Sequence, residues 1–268
     1  MAALALLPVV LFPIWKGGLW FELLLVAGGV LMLLEWLVMT GVKTPFLRAI
    51  GIAAVAALAF WQPVVLGPLV PIWSLALVLL AGTRFTLPAR YYQPQDERRR
   101  HVGWLLTGIA YVGLPIFALG WIRVAEGGAL AVLWVFLVVW ATDVGGYFAG
   151  KGLGGPKLAP RISPKKTWAG LLGGMALAAG VSAAMAWIVA DMSGAPWHHP
   201  GGLALAALPL AVLAQLGDLY ESRMKRFFGI KDSGHLIPGH GGLLDRVDGL
   251  VFVAPAVATY MAVGAGAS

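Results

Sequence analysis

The sequence predicts an all-α, polytopic integral membrane protein with about nine transmembrane helices. The first observation is composition: of 268 residues, 60% are hydrophobic and only 12% are charged, and the mean hydropathy is +0.84. A soluble domain carries about 25% charged residues. The second observation is that long apolar runs recur between charged or Gly/Pro-rich segments. Because so little polar surface is available, lipid must be the solvent for most of the chain.

The apolar runs give nine candidate spans. A transmembrane helix needs about 20 apolar residues, and a span inside a bundle can be shorter. The first, third and eighth runs are short, and we expect Pro209 to interrupt the eighth, so eight or nine spans are expected and nine are preferred. The candidate spans are residues 2–15, 18–40, 46–61, 64–82, 102–122, 129–148, 168–190, 203–219 and 249–266.

Basic residues indicate the orientation. Most of the 19 Lys and Arg residues fall in three loops that are separated, each from the next, by two spans. The three loops therefore lie on the same side, which the positive-inside rule identifies as the cytoplasm. We expect a multi-pass protein of the cell (inner) membrane with these loops inside. The loop residues are Arg84, Arg90, Arg98, Arg99 and Arg100, then Lys151, Lys157, Arg161, Lys165 and Lys166, and then Arg223, Lys225, Arg226, Lys231 and Arg246.

Other features of the composition narrow the function. The chain has no cysteine, which excludes disulfides and thiolate chemistry. The net charge of +7 is explained by the topology, and no soluble basic domain is present that would bind nucleic acid. Glu22 and Glu35 lie towards opposite ends of the second candidate span, and we interpret both as interfacial residues without a chemical role.

Polar residues that lipid cannot solvate are concentrated in two segments. The first is Thr142–Tyr147 followed by Lys157–Trp168, and the second runs from Gly217 to Asp248. Asp143 and Asp218 each lie near the end of an apolar span, where a charged carboxylate is costly unless it is paired. Carboxylates on two spans that end on the same side favour a shared cation, although each could simply reach water. We expect Gly145 and Gly146 to open the end of the first of these helices.

The second segment interleaves acidic and basic residues on a glycine-rich backbone. Glycine lets backbone N–H groups approach an anion closely, and carboxylates are the ligands that Mg²⁺ prefers. The pattern therefore indicates a magnesium–polyphosphate site, with a solvated loop as the alternative. His235 and His240 could bind zinc, but aspartates dominate and no cysteine is present. A phosphate loop at 150–157 is excluded because Pro156 stands where lysine is required.

The same residues resemble a known family. The segment Ser222–Asp248 resembles throughout the signature of the phosphatidate cytidylyltransferase (CDP-diacylglycerol synthase) family, and Lys157–Trp168 is similar to a second block of that family. The stretch Thr142–Tyr147 departs from the usual Ser-Asp-Thr-Gly-Ala-Tyr but keeps the aspartate, one glycine and the tyrosine. The resemblance covers about residues 140–250.

The resemblance implies a nucleotidyltransferase that transfers CMP from CTP to phosphatidate, releases pyrophosphate, uses Mg²⁺ with K⁺ as a candidate second cation, and forms a homodimer in membrane lipid. The expected metal ligands are Asp143, Asp218, Asp245 and Asp248. The expected catalytic residues are Ser222, Lys225, Arg226, Lys231, Asp232, His240 and Arg246. The expected substrate-binding residues are Arg161, Ser163, Lys165, Lys166, His235, Gly241 and Gly242.

Two other functions remain open at this point. One is another membrane transferase of phospholipid synthesis, although Asp248-Gly249 lacks the downstream Ala-Arg that CDP-alcohol phosphotransferases need. The other is a cation-coupled transporter, which would hold its ion near mid-membrane, whereas the polar residues here lie mostly in loops on one side. We also predict a division into N-terminal spans, residues 1–130, and a catalytic membrane region, residues 131–268.

Overall fold

The computed structural model describes residues 2–60, 96–189, 200–234 and 241–265, and these are almost entirely helical. A short antiparallel hairpin is the exception to the all-α prediction, with strands β1 Lys157–Ala159 and β2 Ser163–Thr167. The helices are α1 Ala2–Lys16, α2 Leu19–Met39, α3 Pro45–Phe60, α4 Glu97–Gly108, α5 Leu114–Val124, α6 Gly128–Gly152, α7 Trp168–Val189, α8 Pro200–Phe227, α9 Leu244–Val247 and α10 Leu250–Ala265.

Several of these helices are able to cross a membrane, which confirms the prediction of a polytopic membrane protein at that level. By length and composition, five helical segments in the described part of the chain suffice: Leu19–Met39, Glu97–Val124, Gly128–Gly152, Trp168–Val189 and Pro200–Phe227. The helices α1, α3 and α10 are apolar but shorter. The candidate span at 64–82 lies outside the described residues. The count of nine therefore stays a prediction.

A π-helical turn, Ile109–Gly113, joins α4 to α5 into one long helix. Tyr111 of this turn is buried between two other helices. Its ring lies 5.0 Å from that of Trp36 on α2 and is stacked 5.1 Å from that of Tyr220 on α8. The turn thus anchors the long helix between α2 and α8.

The helices α6 and α7 pack antiparallel through glycines. A Cβ added at Gly145 would lie 2.5 Å from the carbonyl oxygen of Gly173, and one added at Gly173 would collide with Ala149. The expectation that Gly145 and Gly146 open the end of α6 is wrong, since the helix continues to Gly152. Glycine weakens an isolated helix by about 1 kcal/mol, but here it permits the close contact with α7.

The helix α8 carries a large share of the predicted site. Pro209 lies inside it without ending it, so the expected interruption is wrong. Proline is tolerated within membrane helices because neighbouring groups compensate for the lost hydrogen bond. The helix ends beyond Phe227 where Gly229 adopts a positive φ of 69° and the N–H of Ile230 donates to the carbonyl of Lys225 (2.9 Å). This glycine-terminated end keeps Lys225 on the last turns of α8.

Aromatic contacts hold several helix ends together at one end of the bundle. The Trp104 ring of α4 lies 5.8 Å from the ring of Phe227 and 5.0 Å from that of Phe228. The indole N–H of Trp36, near the end of α2, donates to the Trp104 carbonyl (2.9 Å). The C-terminal end of α8 therefore meets α2 and α4 at this end of the bundle.

Candidate active site

A pocket of about 520 Å³ opens where α6, the β-hairpin, α7 and α8 meet. It contains two carboxylates, Asp143 and Asp218, among four lysines. Such a lining suits a polyanion together with a cation. The lining residues are Thr142, Asp143, Gly146, Tyr147, Gly150, Lys151, Lys157, Pro164, Lys165, Lys166, Thr167, Gly170, Gln215 and Asp218.

The β-hairpin supplies the pocket's two predicted basic residues. Lys165 and Lys166 lie on β2, and Thr167 at its end is buried and accepts the N–H of Gly170 at the start of α7 (3.1 Å). This bond joins the hairpin to the helix that follows. Arg161, in the turn between the strands, is exposed, and Ser163 pairs with Ala159 across the hairpin. Neither Arg161 nor Ser163 lines the pocket.

An ion pair connects the hairpin to α8. The Lys166 ammonium contacts the Asp218 carboxylate, and Ser222, one turn further along α8, donates its hydroxyl to the same carboxylate (3.2 Å). Both lysine and aspartate side chains are largely buried, at 17% and 30% exposure. The pair sits in a medium that screens less than water, so the attraction is stronger than on an open surface. The structure therefore brings together residues that are about 50 positions apart.

A second group of contacts, here called the loop cluster, surrounds Asp245. Oδ1 of Asp245 accepts a 2.5 Å hydrogen bond from Lys225. Oδ2 accepts the backbone N–H groups of Ser233 and Gly242 and the Ser233 hydroxyl, each at 2.9 Å. Gly241 adopts a positive φ of 83°, where a side chain would be strained. The carboxylate thus connects Ser233 and Gly242 to Lys225 on α8.

These contacts have a clear electrostatic effect. Burial alone would raise the pKa of Asp245, but hydrogen bonds from Lys225, Gly242 and Ser233 lower the pKa to about 2. Four donors stabilise the ionised form, which is the form that pairs with a lysine. Asp245 therefore stays charged throughout the range in which proteins function.

Glu221 is a buried carboxylate that the sequence did not single out. Its residue is fully buried, and Lys225, one turn later on α8, donates to Oε2 at 3.1 Å. Among the described residues, Oε1 has no hydrogen-bond partner. Lys225 therefore bridges two carboxylates, those of Glu221 and Asp245. The spacing of four residues was a signal for the Glu221–Lys225 pair, but nothing in the sequence indicated its burial.

Glu35 is not the interfacial residue that we expected. It is buried at 9% exposure, and its carboxylate accepts the backbone N–H groups of Leu243 and Leu244, both at 2.8 Å. The Ser233 hydroxyl contacts it as well, at 3.2 Å. An acidic residue inside an apolar span is costly and has a functional role by default, and this was the signal available. Its partners, about 200 residues later, could not be read from the sequence.

Asp248, which follows α9, lies between the pocket and the loop cluster. It accepts the N–H of Gly249 at 2.7 Å. Burial raises its pKa well above the usual value, and the nearby carboxylates of Asp218, Glu221 and Asp143 raise it further. A cation placed among these carboxylates would relieve their repulsion.

The remaining predicted residues fall into two groups. Arg226, Lys231, Asp232 and Arg246 are exposed around the loop cluster, where they would meet a ligand from solvent. His235 and His240 lie outside the described residues.

The donor set fits Mg²⁺ in part. Asp143 and Asp218 line one pocket, and two carboxylates plus substrate phosphates are the usual ligands of this ion. The Lys166 ammonium already lies against Asp218 and shows that a cation is stabilised there. In the described part of the chain, no three acidic or histidine side chains are spaced to hold one ion by themselves. A metal would thus depend on the phosphates for further ligands.

Comparison with known proteins assigns a family. The model of the cytidylyltransferase family matches residues 1–263. The chain belongs to the cytidylyltransferase family. The match includes the N-terminal helices, the hairpin, α8 and the loop cluster, so both groups of contacts described above belong to one family domain.

Individual relatives agree with this family. A phosphatidate cytidylyltransferase of Brucella suis biovar 1 (strain 1330) is 39% identical over 256 residues, which cover 95% of this chain and 88% of the relative. A protein of the same name from Staphylococcus aureus (strain COL) is 36% identical over 259 residues, 95% of this chain and 93% of that one. A third, from Rickettsia felis (strain ATCC VR-1525 / URRWXCal2), is 38% identical over 156 residues, 58% of this chain and 68% of that one.

Proposed function

We propose that this member of the cytidylyltransferase family transfers the cytidylyl group of CTP to phosphatidate, giving CDP-diacylglycerol and pyrophosphate. The observation that carries the proposal is the similarity to proteins named phosphatidate cytidylyltransferase over 95% of the chain. A basic pocket that also holds two carboxylates, between helices able to span a membrane, fits a reaction between a lipid phosphate and a nucleoside triphosphate.

The chain's own residues would act mainly by neutralising charge. The phosphate of phosphatidate carries about −1.5 to −2 charges at pH 7, so it is already a nucleophile and needs no strong base. Its approach to the α-phosphorus of CTP is opposed by repulsion between two polyanions. Lys165 and Lys166 would hold the lipid headgroup or the pyrophosphate at the pocket. Reactions of this type are catalysed mainly by positioning and charge stabilisation.

The loop cluster would supply the second set of cations. Lys225 is fixed between Glu221 and Asp245, which leaves its position well determined near the end of α8. The exposed Lys231 and Arg246 would contact the triphosphate together with Arg226. Backbone N–H groups of the glycine-rich loop are available for the same purpose.

The proposed cofactor is Mg²⁺, held by Asp143, Asp218 and Asp248, with K⁺ as a candidate second cation. Held by these residues, such an ion would supply positive charge that stabilises the charge developing on the phosphates. Asp245 was predicted as a ligand from the sequence. In the described part of the chain its carboxylate accepts hydrogen bonds from Lys225, Ser233 and Gly242, so a direct role would require one of these donors to move. We propose that Asp245 acts chiefly through Lys225 and the loop.

We also propose that the site faces the cytoplasm from the inner membrane of the cell and that the protein works as a homodimer. The concentration of basic residues in three loops supports the orientation. Lys166 of the second loop contacts Asp218 near the end of α8, and Trp104, just after the first loop, packs against Phe227 in the third loop, which supports a common side for the three loops. CTP is a cytosolic substrate, which suits this side. The dimer rests on the resemblance to the family alone.

The test uses purified, full-length protein with phosphatidate and radiolabelled CTP. We expect label to enter a chloroform-extractable product and EDTA to abolish this transfer. Lys166→Met should lose most of the activity, whereas Lys16→Met, a lysine at the end of α1, should not. Transfer that survives EDTA would refute the metal proposal, and pyrophosphate release without phosphatidate would refute the assigned acceptor.

A further inference from the structure

The buried carboxylate of Glu35 caps a helix to which it does not belong. The first N–H groups of a helix have no partner within the helix. The short helix α9 has no side-chain cap of its own at Leu243. Glu35, on α2, supplies acceptors for two of these groups: Oε1 accepts the N–H of Leu243 and Oε2 that of Leu244, each at 2.8 Å. A charged acceptor makes such bonds stronger than a neutral one does.

The loop around this carboxylate is shaped to admit it. A Cβ added at Gly234 would lie 2.7 Å from Oε1 of Glu35, and one added at Gly242 would lie 2.5 Å from Oε2. Real Cβ atoms do not approach so closely, so any larger residue at Gly234 would displace the carboxylate or the loop. The packing around Glu35 therefore requires glycine at these two positions, whether or not a phosphate binds to the loop.

The Glu35 carboxylate is also linked to the loop cluster. The Ser233 hydroxyl lies 3.2 Å from Oε2 of Glu35 and 2.9 Å from Oδ2 of Asp245. Asp245 in turn binds Lys225 on α8. The single hydroxyl proton of Ser233 is shared between the two carboxylates, and the backbone N–H of Ser233 also donates to Asp245 (2.9 Å), so Ser233 connects Glu35 on α2 to Asp245 and, through it, to Lys225.

We propose that Glu35 is a positioning residue of the active site: it fixes Ser233 and the backbone at Leu243 and Leu244 so that Asp245 holds Lys225 in place. This inference rests on the proposed cytidylyltransferase function. Glu35 acts through the loop and not on the substrates. The N-terminal helices are therefore part of the catalytic apparatus, since one of them determines the geometry of the loop.

The first test replaces Glu35 in the purified, full-length protein. Glu35→Ala removes all three acceptor contacts and should lower kcat about tenfold or more, the size of loss seen when a group that orients a ligand is removed. Glu35→Gln keeps one acceptor oxygen and should lose less. Glu22→Gln, on the same helix and towards its other end, is the matched control and should behave as the parent. A Glu35→Ala protein with the kcat of the parent would overturn the proposal.

Hydrogen exchange separates positioning from general stability. In Glu35→Ala, and to a smaller extent in Glu35→Gln, the amides of Leu243 and Leu244 should exchange faster, while those of α6 and α7 keep their protection. Faster exchange throughout the protein, or unchanged exchange at these two amides, would overturn the proposal. If Glu35→Ala does not accumulate, the same comparison is made with Glu35→Gln. A parent protein without transferase activity would refute the proposed function, and exchange would still decide the role of Glu35.

A double substitution tests the steric part. Gly234→Ala should lower kcat in the parent, because its methyl group meets the Glu35 carboxylate. In the Glu35→Ala background that obstacle is absent, so adding Gly234→Ala should change kcat by less than about threefold, since neighbouring substitutions couple. Gly103→Ala, a helical glycine with open space at its Cβ position, is the control. If the two substitutions lower kcat by independent factors that multiply in the double variant, the proposed contact between position 234 and Glu35 is contradicted.

Discussion

At the scale of the residue, Asp245 is the acidic side chain with the best-defined environment in the loop cluster. Asn at this position keeps the size but removes the charge that pairs with Lys225, and it turns an NH₂ group towards other donors. We expect Asp245→Asn to lower the transfer rate about a hundredfold or more, as expected when charge stabilisation at a transferring phosphoryl group is lost. Initial rates at saturating CTP and phosphatidate measure the loss.

The control for this substitution is Glu126→Gln, which neutralises an exposed carboxylate between α5 and α6. It should leave the rate unchanged. Both variants should insert and purify as the parent does. An Asp245→Asn protein that keeps more than about a tenth of the parent activity would remove Asp245 from the catalytic site.

Asp143 provides a second test at this scale. It shares the pocket with Asp218 and Lys166. If Asp143 helps to hold the metal, Asp143→Asn should weaken the apparent Mg²⁺ affinity about tenfold or more, and excess Mg²⁺ should restore part of the rate. A magnesium titration of the variant that overlays the parent curve would show that Asp143 merely reaches the interface.

Local sequence could predict part of the residue-level picture. Asp143, Lys165, Lys166 and Asp218 were all proposed from the sequence, and the structure gathers them into one pocket. Their roles towards metal and substrate remain predictions. Glu35 was misinterpreted because the same apolar surroundings suit both a residue that reaches the interface and one that is buried with distant backbone donors. Only the three-dimensional contact distinguishes the two.

At the scale of the element, the glycine contact between α6 and α7 determines how closely these helices approach beside the pocket. Gly173→Ala places a methyl group against Ala149 and the carbonyl of Gly145. The helices should separate slightly, which should lower both the melting temperature in detergent and the transfer activity. Thermal unfolding and initial rates measure the two effects.

Gly180→Ala is the matched control, since it lies on the same helix with open space at its Cβ position. Alanine is favoured over glycine in a helix by about 1 kcal/mol, so this variant should be at least as stable as the parent. Equal effects of the two substitutions would show that helix propensity, not close packing, governs the contact.

Helices were easier to predict than the other elements. Apolar runs indicated the spans because membrane helices must satisfy their backbone groups internally. The hairpin was missed, since its strands are short and polar and contain no alternation of apolar residues. The expectations for Pro209 and for Gly145–Gly146 were wrong for a common reason: local propensity was overridden by packing against neighbouring helices.

At the scale of the whole molecule, the absence of cysteine allows the topology to be tested directly. Single cysteines at the exposed positions Arg99, Arg161 and Arg223 should resist an impermeant thiol reagent in intact cells and react after lysis. A cysteine at Glu126, in the loop between α5 and α6, should react without lysis. Labelling of any of the first three in intact cells would contradict the cytoplasmic placement of the site.

The division of the chain at residue 130 could be proposed from the sequence because the motifs begin after it. What the sequence could not indicate is that Glu35, before this point, binds backbone groups more than 200 residues later. Contacts of such separation have no periodic signature. The division at residue 130 therefore remains a prediction about where the motifs lie. The hydrogen bonds of Glu35 connect residues on its two sides.

The π-helical turn at Ile109–Gly113 sets the rotation of one half of the long helix relative to the other. Each residue of an α-helix advances about 100° around the axis, and a π turn accommodates one additional residue. A helical wheel drawn with a constant step of 100° through residues 97–124 would therefore assign the residues on one side of the π turn to the wrong face of the helix. Deleting one residue here would shorten the helix only slightly, but it would rotate Trp104 about the helix axis by about a quarter of a revolution, away from Phe228. The rotation of Trp104 relative to α5 thus depends on the number of residues in the apolar part of the helix.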